Sequence, residues 1–320
     1  MPSAFITGAT GQDGSYLVEQ LRERGWEIHA LVRKTTEPTE NEVPSTVIRH
    51  VGDLQDPTAV ARMIEEVEPD AIFNLAGISS VAQSWDTPDL TARLTGLAVG
   101  TLLDGAWRVQ EKTSKTVRFV QASSSELFGN PATSPQDENT VIRPVSPYGA
   151  AKAFAHHLVG VYRGRGLFAA SGILYNHESP RRPASFVTRK ITSEVARIAT
   201  GRSDTLVLGN LDAERDWGWA PDYVDALVRI AFADQPDDFV VATGRAHSVR
   251  HFVGAAFAAA GIDDWEHYIE VDERFNRPVD AATPLGDSSK ARAILGWTPT
   301  VSFEEIVARM VENDMQLLLG

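Results

Sequence analysis

Ser3-Ala-Phe-Ile-Thr-Gly8-Ala-Thr-Gly11-Gln-Asp-Gly14 is the stretch from which the fold follows. Residues 3–7 are a short apolar run of the kind that makes a buried strand. The next seven place glycines at 8, 11 and 14, ahead of a helix predicted through Arg24. Glycines so spaced let the backbone turn tightly and come close to a pyrophosphate, whose charge the helix N-terminus favours. Glycines also serve ordinary turns, so the spacing by itself is a moderate signal. Its place between a first strand and a helix makes it a dinucleotide-binding turn.

Outward from this turn, strands and helices alternate. A second strand over residues 27–32 ends in Arg33-Lys34. That end carries an acid where a ribose 2′-hydroxyl is held and a base where a 2′-phosphate is accommodated, so the pair points to NADP. Residues 35–45 read as a surface loop, and residues 46–51 as a third strand leaving through Gly52-Asp53-Leu54, with Asp53 able to face an adenine. A helix over 56–67 follows, then a strand over 71–75. The small residues of Ala76-Gly77-Ile78-Ser79 after it allow a cofactor to approach closely. A long helix over about 90–110 leads to a strand over 116–122, and residues 168–174 supply a sixth. Such alternation predicts an α/β protein with a doubly wound parallel sheet.

After residue 175 the alternation stops. Residues 176–182 read as a polar loop at a strand's carboxyl end, where ligands bind in such sheets. A helix with Arg189 and Lys190 in its first turns follows, then a loop over 209–218, a helix over 222–233 and a closing amphipathic helix over 303–317. The expected organisation is a cofactor-binding domain over 1–175, with part of 215–245 returning to it, and a smaller α/β lobe over 176–320.

Two reactive clusters lie in the middle of the chain: Gln121-Ala-Ser-Ser-Ser-Glu-Leu-Phe-Gly129 at a strand end, and Ser146-Pro-Tyr-Gly-Ala-Ala-Lys152. Ser146 suits a helix cap and Pro147 a first turn, with a helix through Tyr162. Tyr148 and Lys152 are then i and i+4, on one helix face. An ammonium beside a phenol favours the phenolate, so the expected effect is a lowered Tyr148 pKa and a usable base. Tyr-x-x-x-Lys alone is a weak pattern. With Ser-Ser-Ser-Glu upstream and the glycine turn at the N-terminus it reads as an active site.

The totals exclude other classes. The 320 residues carry a net charge of −13, which argues against a general nucleic-acid surface. There is no cysteine, so disulfides, thiolate catalysis and cysteine-bound zinc are out, and a reducing cytoplasm is suited. The eight histidines show no metal-ligand spacing, and the longest apolar stretch, residues 252–262, is too short to span a bilayer. No signal peptide, membrane segment or metal site is expected.

These pieces resemble the extended short-chain dehydrogenase/reductases, and among them the GDP-mannose 4,6-dehydratases, along essentially the whole chain. The matching strings are Thr7–Leu17 with its Gly-Gln-Asp-Gly-Ser-Tyr, Gln121–Gly129, Ser146–Lys152, Asn176-His-Glu-Ser-Pro-Arg-Arg182, residues 186–190, residues 209–218 with Arg215-Asp-Trp-Gly, and Ala242-Thr-Gly244. The resemblance implies NADP held by Gly8, Thr10, Gly11, Gln12, Asp13, Gly14, Arg33, Lys34, Asp53, Leu54, Leu75, Ala76, Gly77 and Ser79, with Tyr148, Lys152, His177 and Arg182. It implies Ser124, Glu126, Tyr148 and Lys152 as catalytic residues. For the nucleotide sugar, GDP-mannose, it implies Ser79, Ser124, Ser125, Glu126, Asn176, Val187, Lys190, Arg215, Arg277 and Asp280. The implied reaction oxidises carbon 4, removes the carbon-5 proton through Glu126, expels water from carbon 6 and returns the hydride there. Glu126 argues against simple epimerisation.

Some positions depart from the family's pattern. Gly77-Ile78 stand where Ala-Gln is usual, Ser124 replaces a threonine, Pro183 a glycine and Asp280 a longer glutamate. Alternatives are a dehydratase or reductase on another nucleotide sugar, such as a GDP-heptose, and a non-catalytic NADP-binding regulator. A homodimer is expected through the helices near 90–110 and 148–162. A family tetramer would also need the loop after the second strand, here short and carrying Glu37, Glu40 and Glu42.

Overall fold

Seven strands form one sheet: β1 (Ser3–Thr7), β2 (Glu27–Val32), β3 (Ile48–Val51), β4 (Ala71–Asn74), β5 (Arg118–Ser124) and β6 (Phe168–Leu174), joined later in the chain by β10 (Asp238–Val241). The order across the sheet is β10-β6-β5-β4-β1-β2-β3, and every neighbouring pair is parallel. The computed structural model describes residues 1–34, 41, 43–272, 274 and 284–319. The chain winds outward from β1 through β2 and β3 on one side and from β4 through β5 and β6 on the other, so the strand order reverses between β1 and β4, which opens a crevice at their carboxyl ends.

The helices follow from local signals. Helix α1 (Gln12–Glu23) starts at the glycine turn, and α2 (Pro57–Val67) is capped by Asp56, whose carboxylate accepts the Ala59 N–H at 3.0 Å. The predicted helix over 90–110 is not one continuous α-helix. After α3 (Val81–Asp86) and α4 (Pro88–Thr91) the chain makes a π-helical turn over Ala92–Leu97 before α5 (Ala98–Thr113). The wide turn faces Thr95 toward the end of β4, where its Oγ1 accepts the Ile78 N–H at 3.0 Å. Helix α6 (Pro147–Gly164) is capped by Ser146, which accepts the Gly149 N–H at 3.0 Å.

Successive residues of each central strand point to opposite faces. Ala4, Ile6 and Val120 pack with Leu17, Val18, Val224 and Leu227, and so under α1 and α8 (Ala220–Ala231). Phe5, Ile72 and Phe119 pack on the other face with Ile64, Leu102 and Val159 of α2, α5 and α6. A third core joins α7 (Val187–Ala199), α9 (Val249–Ala259) and α11 (Phe303–Leu319) around Val195, Phe252, Phe257 and Met310. Helix α10 (Ser289–Leu295) sits beside β10.

Two stretches expected to be loops contain strands. Residues Asn176–Glu178 form β7, which pairs in parallel with β9 (Glu214–Trp219), and β9 also pairs with β11 (Ala246–Ser248). The short β8 (Leu206–Leu208) pairs with β12 (Ile269–Val271). The sequences of β7 and β9 are largely polar, those of β8 and β12 only three residues long, and the partners lie far along the chain, so no local pattern marks them. Among the described residues no helix is long and apolar enough to cross a membrane.

Candidate active site

The glycine turn leaves β1 with Gly8 at φ +76°, and a Cβ there would lie 2.8 Å from the Ala76 backbone nitrogen. A Cβ on Gly14 would press into the Gly8 carbonyl. Both positions therefore admit only glycine, one for its conformation and one for close packing. Gly11 caps α1 without any side-chain hydrogen bond, so the first-turn amides keep their donors for an anion. This cradle fits a dinucleotide pyrophosphate.

From the turn, a cleft of about 420 Å³ runs along the ends of β4, β5 and β6 and over β7. Strand β5 delivers Ser124, and a 3-10 turn over Ser125–Leu127 turns Glu126 into the cleft wall. The Ser124 hydroxyl accepts the Glu126 N–H at 3.3 Å and lies near enough to the Tyr148 hydroxyl to favour its ionised form. Gly149 makes this meeting possible, because a Cβ there would lie 2.6 Å from the Glu126 carbonyl oxygen. Lys152, one turn further along α6, is buried and donates from Nζ to the Ala122 carbonyl at 2.7 Å.

That geometry corrects one expectation. Tyr148 does not have a lowered pKa: burial pushes the phenol up to about 12, and neighbouring Glu126 adds to the rise against the Ser124 hydroxyl. Burial also pulls Lys152 down to about 8, partly opposed by Asp13. The Lys152 ammonium lies 5.7 Å from the Tyr148 ring centre and spends its hydrogen bond on a carbonyl. Desolvation of the phenolate outweighs an ammonium at that remove.

The opposite wall is built by β7 and α7. Asn176, His177 and Glu178 come from β7, Val187 and Lys190 from α7, and Arg215 from β9. Glu178 is buried, accepts the Thr188 hydroxyl at 2.6 Å and pairs with Arg182 at 3.3 Å, whose guanidinium lies 3.8 Å over the Phe186 ring. His177 is clamped between the Tyr175 carbonyl and the Asp13 carboxylate. Burial opposes both charges of that pair, yet each partner stabilises the other: Asp13 falls to about 2 and His177 rises above its ordinary value. Burial lowers the Lys190 pKa, against Glu194 and Asp272. Positive side chains thus gather in one cleft of a chain that is acidic overall, as an anionic ligand requires.

Of the residues singled out in the sequence, Asp13, Leu75, Ser79, Ser124, Ser125, Glu126, Tyr148, Lys152, Asn176, His177, Arg182, Val187, Lys190 and Arg215 line this one cleft. Gly8, Thr10, Gly11, Gln12 and Gly14 form the turn at its end, and Ala76 and Gly77 follow β4. Gln12 is turned away into the protein, donating to the His177 carbonyl at 3.2 Å and accepting the Ser179 hydroxyl at 2.9 Å. Arg33 and Lys34 are exposed beyond β2. Asp53 closes a local turn, accepting the Gln55 N–H at 2.8 Å, with Leu54 next to it. Arg277 and Asp280 lie outside the described residues, as do Glu37, Glu40 and Glu42. The sequence reading missed Ser84, Thr95, Glu178 and Thr188. Glu178 could have been found from its place inside the 176–182 string; the other three carry no local signal.

Comparison with known proteins agrees with this geometry. The family model described as GDP-mannose 4,6 dehydratase matches residues 5–310. GDP-mannose 4,6 dehydratase 2 of Arabidopsis thaliana is 43% identical over 326 residues, covering 98% of this chain and 87% of that protein. The Homo sapiens GDP-mannose 4,6 dehydratase is 42% identical over 346 residues, covering 98% and 92%. Among solved structures, Thermus thermophilus UDP-glucose 4-epimerase in complex with NAD superposes with a TM-score of 0.84 at 29% identity, covering 98% of each chain.

Proposed function

Because the chain belongs to the GDP-mannose 4,6-dehydratase family, we propose that it converts GDP-mannose to GDP-4-keto-6-deoxymannose. The observation that carries this reading is the convergence of Ser124, Glu126, Tyr148 and Lys152 on one wall of a single cleft. A regulator that only bound a cofactor would need no such set.

A nicotinamide cofactor bound at the Gly8–Gly14 turn supplies the hydride acceptor and donor that make the reaction redox-neutral. Tyr148 takes the proton of the carbon-4 hydroxyl, and Ser124 hydrogen-bonds the same oxygen. Burial keeps the phenol protonated at neutral pH in the present geometry, so its turn as a base depends on a cation drawing near. Lys152, on the same face of α6, is the group placed to supply that charge. Once carbon 4 is a ketone the carbon-5 proton is acidic, and Glu126 removes it. The carbon-5 electron pair then forms the double bond to carbon 6 as the hydroxyl takes up the proton held by Glu126 and leaves as water; return of the hydride to carbon 6, with a proton to carbon 5, would complete the 6-deoxy product.

We read the cofactor as NADP. Arg33 and Lys34 end β2 with two exposed positive charges where a 2′-phosphate would otherwise meet an acid. We also read the protein as a cytoplasmic homodimer. Leu97, Phe154 and Val161 are 58, 47 and 64% exposed on the π-turn before α5 and on α6, an apolar face suited to a second copy. Incubation of the purified protein with a panel of nucleotide sugars and NADP tests the activity. A 4-keto-6-deoxy product from GDP-mannose is expected, and turnover of another sugar alone would replace the assignment.

A further inference from the structure

We propose that Asp13 holds His177 as an imidazolium, and that this charge pair is the positioning device which fastens the ligand-facing strand β7 to the first turn of α1. Only the kinetic arm of the test below rests on the dehydratase reading.

Both ring nitrogens of His177 face groups that can only accept. Nδ1 is 2.7 Å from the Tyr175 carbonyl oxygen, and Nε2 is 3.0 Å from each oxygen of the Asp13 carboxylate. A neutral imidazole has one N–H, so it would leave a lone pair aimed at an oxygen inside a buried site. The imidazolium donates to both. Turning the ring over would set C–H groups against both oxygens. The side chain is 10% exposed and its ring stacks on Tyr223 of α8, centroids 4.7 Å apart. Water is therefore a poor substitute for either partner.

The groups facing the pair come from every element packed on it. Asp13 and the neutral amide of Gln12 come from α1, the Tyr223 phenol from α8, and the Tyr175 carbonyl from the end of β6. Arg182, from the loop after β7, is a like charge that works against the imidazolium. On the Asp13 side, Tyr148 and Lys152 of α6 lie within electrostatic reach. Against burial and Arg182, Asp13 and the Tyr175 carbonyl favour the proton.

The pair also settles a conflict at α1. A helix N-terminus that must accept a phosphate carries a carboxylate in its first turn, where the two anions would compete. The imidazolium cancels that charge. Around the pair, Ser179 donates to Gln12 at 2.9 Å, and Arg181 reaches Ser15 at 3.1 Å and Glu19 at 2.6 Å. The glycine turn and the wall bearing Asn176 are thus one unit, so a ligand that orders one orders the other.

The test uses full-length protein with nitrogen-15 histidine, in which the His177 resonances are identified by their loss in His177→Gln. Long-range proton–nitrogen spectra of the wild type should show both His177 nitrogens protonated from pH 6 to 8. In Asp13→Asn the ring should titrate within that range, because its counter-charge is gone. Kinetically, Asp13→Asn should lose activity at every pH because Asp13 lines the ligand cleft, and its kcat/KM relative to wild type should fall about 10-fold or more further between pH 6 and pH 8, the weight of a charge-assisted hydrogen bond. A wild-type His177 that is neutral at pH 7 would overturn the proposal without any variant. So would identical titrations in the two proteins. Loss of the predicted product with an intact imidazolium signal would instead count against the dehydratase reading alone.

Discussion

The hydroxyl of Ser84 accepts the backbone N–H of Tyr148 at 3.2 Å. Tyr148 occupies the first turn of α6, where N–H groups have no partner within the helix, and the Ser146 cap already serves Gly149. Ser84 sits on α3, just after the cleft-lining residues 79–82, and is wholly buried. One hydroxyl therefore sets the wall of the cleft against Tyr148. Ser84→Ala leaves that N–H buried and unmet, at a cost of about 1–3 kcal/mol in stability. We expect a lower melting temperature and a kcat reduced about 10-fold with KM little changed. Unchanged kcat in a destabilised variant would restrict Ser84 to a structural part.

Lys152 predicts opposite trends of activity and stability with pH. Its pKa lies near 8 in the folded protein, below the ordinary 10.5. Between those values the unfolded chain binds more protons than the folded one, so stability rises with pH across the interval. Activity should fall as pH climbs through about 8, because the charge that serves Tyr148 is lost. Lys152→Arg keeps the charge and should move the alkaline limb upward at a reduced kcat. Profiles of kcat/KM and of melting temperature against pH check both signs.

Glu126→Gln should stall halfway. In the proposed reaction proton removal from carbon 5 follows oxidation of carbon 4, and it is Tyr148, Ser124 and Lys152 that would serve the oxidation. Loss of a general base costs about 10²–10⁴-fold, enough to make elimination slow against oxidation. Single-turnover absorbance with GDP-mannose should show reduced cofactor accumulating in Glu126→Gln and none in Tyr148→Phe. Undiminished exchange of the carbon-5 proton with deuterated solvent in Glu126→Gln would remove the base assignment.

Arg33→Ala should weaken NADP binding and leave NAD binding nearly unchanged. The expected loss is about 10-fold or more, the worth of a charged hydrogen bond to phosphate. Titration of both cofactors into wild type and variant decides it, and a wild type that prefers NAD would refute the choice.

Light scattering at moderate salt should return a dimer, and Val161→Asp should shift it toward monomer by placing a charge in an apolar contact. A stable wild-type tetramer would mean that the loop after β2 contributes a second interface.

Much of the molecule was legible in the sequence because the deciding constraints act locally. Gly8 and Gly14 are demanded by a turn and a close approach, β1, β2 and β6 by apolar runs, and the alignment of Tyr148 with Lys152 by the helical period after Ser146-Pro147. What only the tertiary structure decided are quantities set by partners far along the chain. Strands β7 and β9 read as loops because their pairing joins Asn176 to Trp217, and polar segments so distant leave no periodic mark. Ser84 was invisible for the same reason: its partner is 64 residues away. The charges were decided last, by burial. Tyr148 is pushed up although a lysine lies one turn away, and His177 keeps its proton because Asp13, 164 residues earlier, faces it in a place that water hardly reaches.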